Sequence, residues 1–279
     1  MHRANLSPRR RWGQNFLIDL NLMRMMIDTA GLTGNETVLE VGCGTGSMTD
    51  LLAEKSGRVI AVEIDRHLMQ IAREQLQRHK NVQLLSADVL SNKSTLDQEV
   101  RDAIIKSRKR FEGSYYLISN LPYQVAAPVI INLLMEKLLR PDAMWVTVQA
   151  EVAARMTARP ATKAYGPLSI LLQATGQVSL LRAIKPQAFW PQPEVNSAMV
   201  SWKQEVNKCK NIRDMKQLKK MIDLLLGHRR KKIRNCLAKV AVADDAVLIL
   251  EKLGINADAR GETLTPELFV ELAHSLLHR

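Results

Sequence analysis

The segment ISNLPYQVAAPV, residues 118–129, closes one apolar run and opens another. Between the two lie Asn120, Leu121, Pro122 and Tyr123, whose chemistry suits a planar ring bearing an exocyclic amine. The Asn120 side chain offers a neutral carbonyl acceptor. The backbone carbonyl of Leu121 offers a second, just before a proline that fixes the chain. The Tyr123 ring offers a flat face on which a base stacks and beside which positive charge is tolerated. Alone, these four residues are an ordinary turn, so their meaning depends on what stands upstream.

Upstream, VLEVGCGTGS (38–47) places Gly42, Gly44 and Gly46 directly after an apolar run. A dinucleotide-binding fingerprint wants glycine at its first, third and sixth places, and the sixth place here is Ser47. The loop suits S-adenosylmethionine better, because that smaller ligand has no pyrophosphate to cradle. A glycine turn without Cβ atoms lets a ligand lie against the backbone. Glu63 follows a second apolar run, with two carboxylate oxygens to accept both ribose hydroxyls. Asp88 follows a third, placed to accept from an adenine amine. Glu40 is a further candidate for the methionine end, and equally a strand residue with a structural partner. Each acid alone is more often a surface residue or a helix cap; their order behind a glycine loop points to a methyltransferase.

Charge supplies the next signal. The chain carries 279 residues with a formal net charge of +12, and residues 203–239 hold 13 Lys and Arg against 3 Asp and Glu. GHRRKKIRN (227–235) is its densest part, read as one helix-length segment. A charge run is usually a solvated face. A field this concentrated also attracts a polyanion, of which nucleic acid is the commonest. Arg229, Arg230, Lys231, Lys232 and Arg234 are the candidate RNA contacts. An acidic membrane surface fits less well, since no apolar face with aromatics accompanies the run. A second basic run, KSRKR (106–110), is read as a surface helix in preference to an RNA contact.

Other chemistries find little support. Cys43, Cys209 and Cys236 form no CxxC pair, the six histidines are scattered, and no metal site is expected. No apolar run approaches the ~20 residues that span a bilayer. RRRWGQNFL at the N-terminus resembles a twin-arginine signal. However, Asp19, Asn21, Arg24 and Asp28 interrupt the apolar stretch that such a signal needs, and no small-residue cleavage site appears. A cytoplasmic protein is expected.

The elements that must position these residues alternate. Strands are expected at 37–42, 58–65, 82–88, 115–119 and 144–149. Helices are expected between them at 47–55, 66–79, 94–110 (with Ser94 as N-cap) and 127–139. This alternation implies βαβ units and a doubly wound, Rossmann-like α/β domain. Two more strands, 178–185 and 197–203, flank the proline-rich PQAFWPQPE and fit an antiparallel pair, giving a mostly parallel seven-stranded sheet. Past residue 205 the strand pattern stops, and helices are expected at 213–226, 229–240, 243–253 and 265–277. The expected organisation is a catalytic domain over 1–204 and a smaller all-helical, RNA-binding domain over 205–279.

Four stretches make a specific resemblance: RWGQNFLID (11–19), NLPY (120–123), AFWPQPEVNSAMV (188–200) and HRRKKIRN (228–235). With the glycine loop between them, the chain resembles the ribosomal RNA adenine N6,N6-dimethyltransferases, and within them the small-subunit (16S) branch, from about residue 9 to its end. The resemblance implies that Asn15 and Leu17 line the cofactor pocket with Gln14 nearby, and that Gly42, Glu63, Asp88 and Asn120 contact S-adenosylmethionine. It implies that Asn120, Leu121 and Tyr123 handle the target base, with Phe189 flanking the adenine opposite Tyr123. The implied substrate is a pair of adjacent adenines in a hairpin loop near the 3′ end of small-subunit ribosomal RNA. The implied partner is an immature small subunit met by a monomer. The chain departs from the family in the length between Asp88 and Asn120, which suggests an insertion, and in Cys43, where proline is common. Two alternatives remain: the large-subunit enzyme of the same superfamily, and a non-catalytic ribosome-assembly or transcription factor.

Overall fold

The computed structural model describes residues 14–238 and 243–276. Phe16–Leu17 (β1) and Leu20–Ala30 (α1) precede a regular alternation: Thr37–Val41 (β2), Ser47–Lys55 (α2), Arg58–Val62 (β3), Arg66–Gln75 (α3) and Val82–Leu85 (β4). A small hairpin, Leu90–Asn92 (β5) and Thr95–Leu96 (β6), leads into Gln98–Arg110 (α4). Tyr115–Asn120 (β7), Ala126–Met135 (α5) and Ala143–Gln149 (β8) follow. After Ala150–Met156 (α6) and Pro167–Thr175 (α7) come Gly176–Ile184 (β9), Phe189–Trp190 (β10) and Ser197–Gln204 (β11). The remainder is helical: Val206–Asn211 (α8), Met215–Leu226 (α9), Ile233–Leu237 (α10), Ala243–Lys252 (α11) and Pro266–Leu276 (α12).

The seven-stranded sheet has the order β4-β3-β2-β7-β8-β11-β9. β4, β3, β2, β7 and β8 are mutually parallel, and β11 joins β8 antiparallel. Every residue of β2 is buried, as expected for a central strand covered on both faces. The helices start where carboxylates satisfy their first N–H groups: Asp19 caps α1, Asp65 caps α3 and Asp97 caps α4. The resulting α/β architecture is the mostly parallel, seven-stranded fold read from the sequence. Among the described residues, no helix is long and apolar enough to cross a membrane.

Several elements end earlier than expected, among them those expected at 66–79 and 127–139, and three further differences have a cause in tertiary pairing. Ser94 does not cap α4. Residues 94–96 belong to the hairpin, where Leu96 is buried opposite Leu90, and Asp97 caps the helix instead. The segment 229–240 is not one helix within its described part. A turn leads into the short α10, because the backbone of 232–234 pairs with 257–260: Lys232 bridges Arg260, and Ile233 N–H donates to the Ala259 carbonyl at 2.9 Å. Residues 239 and 240 lie outside the described residues.

The third difference is the domain boundary. The chain forms two compact units, and the division is discontinuous. One unit runs through Ala153 and takes up Ser179–Lys203. The other combines Ala154–Val178 with the chain from Gln204 onward. A single cut at 204/205 misses this because α7 packs on α9 and α12, burying Leu168, Ile170, Leu171 and Leu172. The Tyr165 hydroxyl adds a bond to the Leu264 carbonyl at 2.9 Å.

Candidate active site

A cavity lies in the first unit beyond the carboxyl ends of β2, β3 and β7. Among the residues lining it are Asn15, Gly42, Glu63, Asp88, Asn120, Leu121 and Tyr123. This is the switch-point crevice at which open α/β sheets take ligands.

The glycine loop is shaped by protein neighbours. Gly42, Gly44 and Gly46 have φ of +77°, +58° and +89°. A Cβ on Gly42 would lie 2.7 Å from Pro122 Cγ, and one on Gly44 2.9 Å from the Phe16 ring. Glycine at 42 and 44 thus also lets the 120–123 turn and Phe16 close on the loop, beside the cavity that Gly42 lines.

The acids divide by burial. Glu63 is 5% exposed, and each of its oxygens holds one backbone N–H: Oε2 that of Gly44 and Oε1 that of Asp65, both at 2.9 Å. Burial pushes its pKa up, while those two N–H groups pull it down. Asp88 is exposed, three residues past β4, and its Oδ1 accepts the Leu90 N–H at 3.0 Å. Glu40 is buried, and its Oε2 accepts the Thr49 hydroxyl at 2.6 Å. Burial raises its pKa to about 8, against the pull of that hydrogen bond and with help from the charge of Glu63. Of the two readings of Glu40, the structural partner is the one observed.

The 120–123 turn is held from several sides. The Leu121 N–H donates to the Thr147 carbonyl at 3.1 Å, and the Pro122 carbonyl accepts Val125 and Ala126 N–H groups at the start of α5. Asn120 Nδ2 donates to the Asn15 carbonyl at 2.9 Å, and Asn120 Oδ1 accepts the Thr147 hydroxyl. Tyr123 is half-buried, and its hydroxyl shares a hydrogen bond with Ser197.

Two expected residues lie elsewhere. Leu17 and Phe189 are 4% and 2% exposed, in the hydrophobic core, and neither lines the cavity. The cause is strand register. β1 and β10 pair antiparallel with Leu17 opposite Phe189 and Phe16 opposite Trp190, and cross-strand partners share a face. The core face takes Leu17 and Phe189; the other takes Phe16, which lines the cavity and stacks on Trp190 with ring centroids 6.3 Å apart. Sequence reasoning missed Phe16, Thr147 and Ser197. The first could have come from the period-two alternation of a strand. Thr147 was visible as a polar residue inside the apolar run MWVTVQ.

In the second unit, the basic segment is partly committed to structure. Arg229 donates to the Lys163 carbonyl at 3.4 Å and to the Tyr165 carbonyl. Lys232 and Arg234 both pair with Asp258, at 3.1 and 2.9 Å. Arg230 and Lys231 are exposed in the turn. The other run, KSRKR, lies on α4, where Arg108 donates to the Arg140 carbonyl at 2.8 Å and sits over the Tyr115 ring.

A family model described as ribosomal RNA adenine dimethylase matches residues 5–277. The chain is 34% identical to a ribosomal RNA small subunit methyltransferase A of Caldanaerobacter subterraneus, over 97% of this chain and 98% of that protein. It is 35% identical to a protein of the same name from Pelotomaculum thermopropionicum, over 99% and 94%. Two solved structures share the fold. A dimethyladenosine transferase from Plasmodium falciparum has a TM-score of 0.76 at 19% identity, covering 92% of this chain and 95% of that one. The 23S rRNA methyltransferase ErmE has a TM-score of 0.66 at 20% identity, covering 95% and 100%. With a family model matched over nearly its whole length, the chain belongs to the ribosomal RNA adenine dimethylase family.

Proposed function

We propose that the protein is a small-subunit ribosomal RNA adenine dimethyltransferase, transferring methyl groups from S-adenosylmethionine to the exocyclic N6 amines of two adjacent adenines in the 3′-terminal hairpin loop of 16S RNA. The observation that carries this reading is the turn at 120–123, which brings two carbonyl acceptors and an aromatic face to a cavity also lined by Gly42, Glu63 and Asp88. The near-full-length relatives named for the small subunit favour that RNA over the large-subunit one.

The cavity chemistry fits the cofactor. Glu63 is buried with each oxygen oriented by one N–H, and each retains a lone pair for a ribose hydroxyl. Ile64, an apolar side chain 39% exposed, lines the same cavity beside Asp88, as an adenine ring and its amine would require. When bound, S-adenosylmethionine supplies an electrophilic methyl group on a cationic sulfonium.

The adenine amine is a poor nucleophile, because its lone pair is delocalised into the purine. Its neutral form is too weakly acidic for a side-chain base to help, so positioning and electrostatics carry the rate. Asn120 Oδ1 and the Leu121 carbonyl accept the two amine N–H groups, which draws the nitrogen toward tetrahedral geometry and aims its lone pair. Tyr123 stacks on the ring and tolerates the positive charge that develops there. The methylated nitrogen is strongly acidic and gives its proton to solvent. A loop adenine reaches the pocket more cheaply than a duplex one, because less stacking is lost. The basic turn of the second unit grips RNA phosphates. The protein acts in the cytoplasm, as a monomer on an immature small subunit.

The test is methyl transfer from labelled S-adenosylmethionine to unmethylated small subunits, with the product mapped. Two dimethylated neighbouring adenines are expected, and Asn120→Ala should abolish transfer while RNA binding stays within about twofold. Labelling of large-subunit RNA alone would favour the macrolide-resistance type of enzyme. RNA binding without any transfer would favour an assembly factor.

A further inference from the structure

We infer that Thr147 is a positioning residue for methyl transfer, anchoring through its hydroxyl and its carbonyl both acceptors that hold the adenine amine. The inference rests on the N6-methylation proposed above. Thr147 lies on β8, fully buried, directly opposite Asn120 in the parallel pairing of β7 with β8. Its hydroxyl donates to Asn120 Oδ1, and its backbone carbonyl accepts the Leu121 N–H at 3.1 Å. One residue thereby fixes the side chain that carries the first acceptor and the peptide that leads to the second.

The Asn15 carbonyl decides which way the Asn120 amide faces, and the Thr147 hydroxyl, as donor, pins the oxygen that this leaves toward β8. Nδ2 is already committed to the Asn15 carbonyl at 2.9 Å. A half-turn of the amide would set its oxygen against the Asn15 carbonyl, an acceptor–acceptor repulsion, and would turn the Thr147 hydroxyl from donor to acceptor. The observed orientation satisfies both neighbours and leaves the second lone pair of Oδ1 for the substrate. An amide oxygen presented in one orientation is pre-organised, whereas one that samples two spends part of its time offering the amine a donor. A purely apolar side chain at 147 would fill the same buried volume without the donor that anchors Oδ1, so a packing role and a positioning role make different predictions.

The experiment compares Thr147→Val and Thr147→Ala, which lack the hydroxyl, with Thr147→Ser, which keeps it. Steady-state methyl transfer to unmethylated small subunits is measured beside direct titration of S-adenosylmethionine and thermal melting. Expected for the valine and alanine variants is a kcat roughly 10- to 100-fold below wild type, with the cofactor Kd and the KM for RNA within about twofold. The serine variant should recover to within about threefold of wild type. If valine proves unfolded, the alanine–serine comparison carries the same reading. Turnover in the hydroxyl-free variants equal to wild type, or a serine variant as slow as alanine, overturns the inference. A wild-type protein without transfer would instead overturn the proposed function, and the two failures are separable in one assay.

Discussion

Tyr123 Oη lies 2.7 Å from Ser197 Oγ, joining the turn after β7 to the first residue of β11. The bond fixes the tilt of a half-buried ring at the mouth of the cavity, and burial raises the phenol's pKa so that it stays protonated at neutral pH. Ser197→Ala and Tyr123→Phe each remove the same hydrogen bond. Each should lower kcat by about 3- to 10-fold, and the double variant should be no slower than either single one. Tyr123→Ala removes the stacking face as well and should cost a further ~1–3 kcal/mol. Rates from single-turnover methyl transfer check all four; additive losses in the double variant would mean that the two hydroxyls act independently.

Glu40 gives a pH prediction. Its carboxyl ionises near 4.5 in an unfolded chain but is raised to about 8 in the fold, chiefly by burial. Between those values the folded protein holds a proton that the unfolded chain has released, so unfolding releases it and stability falls as pH rises, levelling off above about 8. Glu40→Gln never ionises and keeps the bond from Thr49. Its stability relative to wild type should therefore climb with pH across this window, by at most about 1.4 kcal/mol per unit, and then flatten. Urea denaturation at pH 5, 6.5 and 8 measures the difference. A difference that does not change with pH would show that Glu40 is ionised in the folded protein throughout.

Much of this was legible because it is local and periodic. The strands 37–41, 58–62 and 143–149 are apolar runs between turn signals, and α2 begins and ends where its sequence says. Glu63 and Asp88 came from their places after strands. What failed depends on pairing between distant segments. The face that Leu17 and Phe189 occupy is set by the β1–β10 register, which joins residues more than 170 positions apart, and the resemblance that named both carries no information on that face. The 229–240 helix failed for the same reason, since its first half pairs with residues 257–260. Thr147 carried a weak local signal, but its use depends on lying opposite Asn120.

The basic turn separates into structural and available charge. Arg229 donates to two backbone carbonyls of the 163–165 loop, so Arg229→Ala should lower stability by about 1–2 kcal/mol whatever its effect on RNA. Arg230 and Lys231 are exposed, and replacing both with alanine should leave the melting temperature unchanged. The same double replacement should reduce the slope of log K for RNA against log salt by about two, one for each phosphate no longer neutralised. Lys232 and Arg234 share the single negative charge of Asp258, with about half of each side chain exposed, and such pairs contribute only about 0–1 kcal/mol to folding. Asp258→Asn should therefore cost little stability, raise the net charge of the turn by one, free both side chains toward RNA, and steepen the salt dependence. Filter binding of small-subunit RNA at several salt concentrations distinguishes these effects. If Asp258→Asn leaves slope and affinity unchanged, Lys232 and Arg234 serve the fold of the turn, and the RNA contact reduces to Arg230 and Lys231.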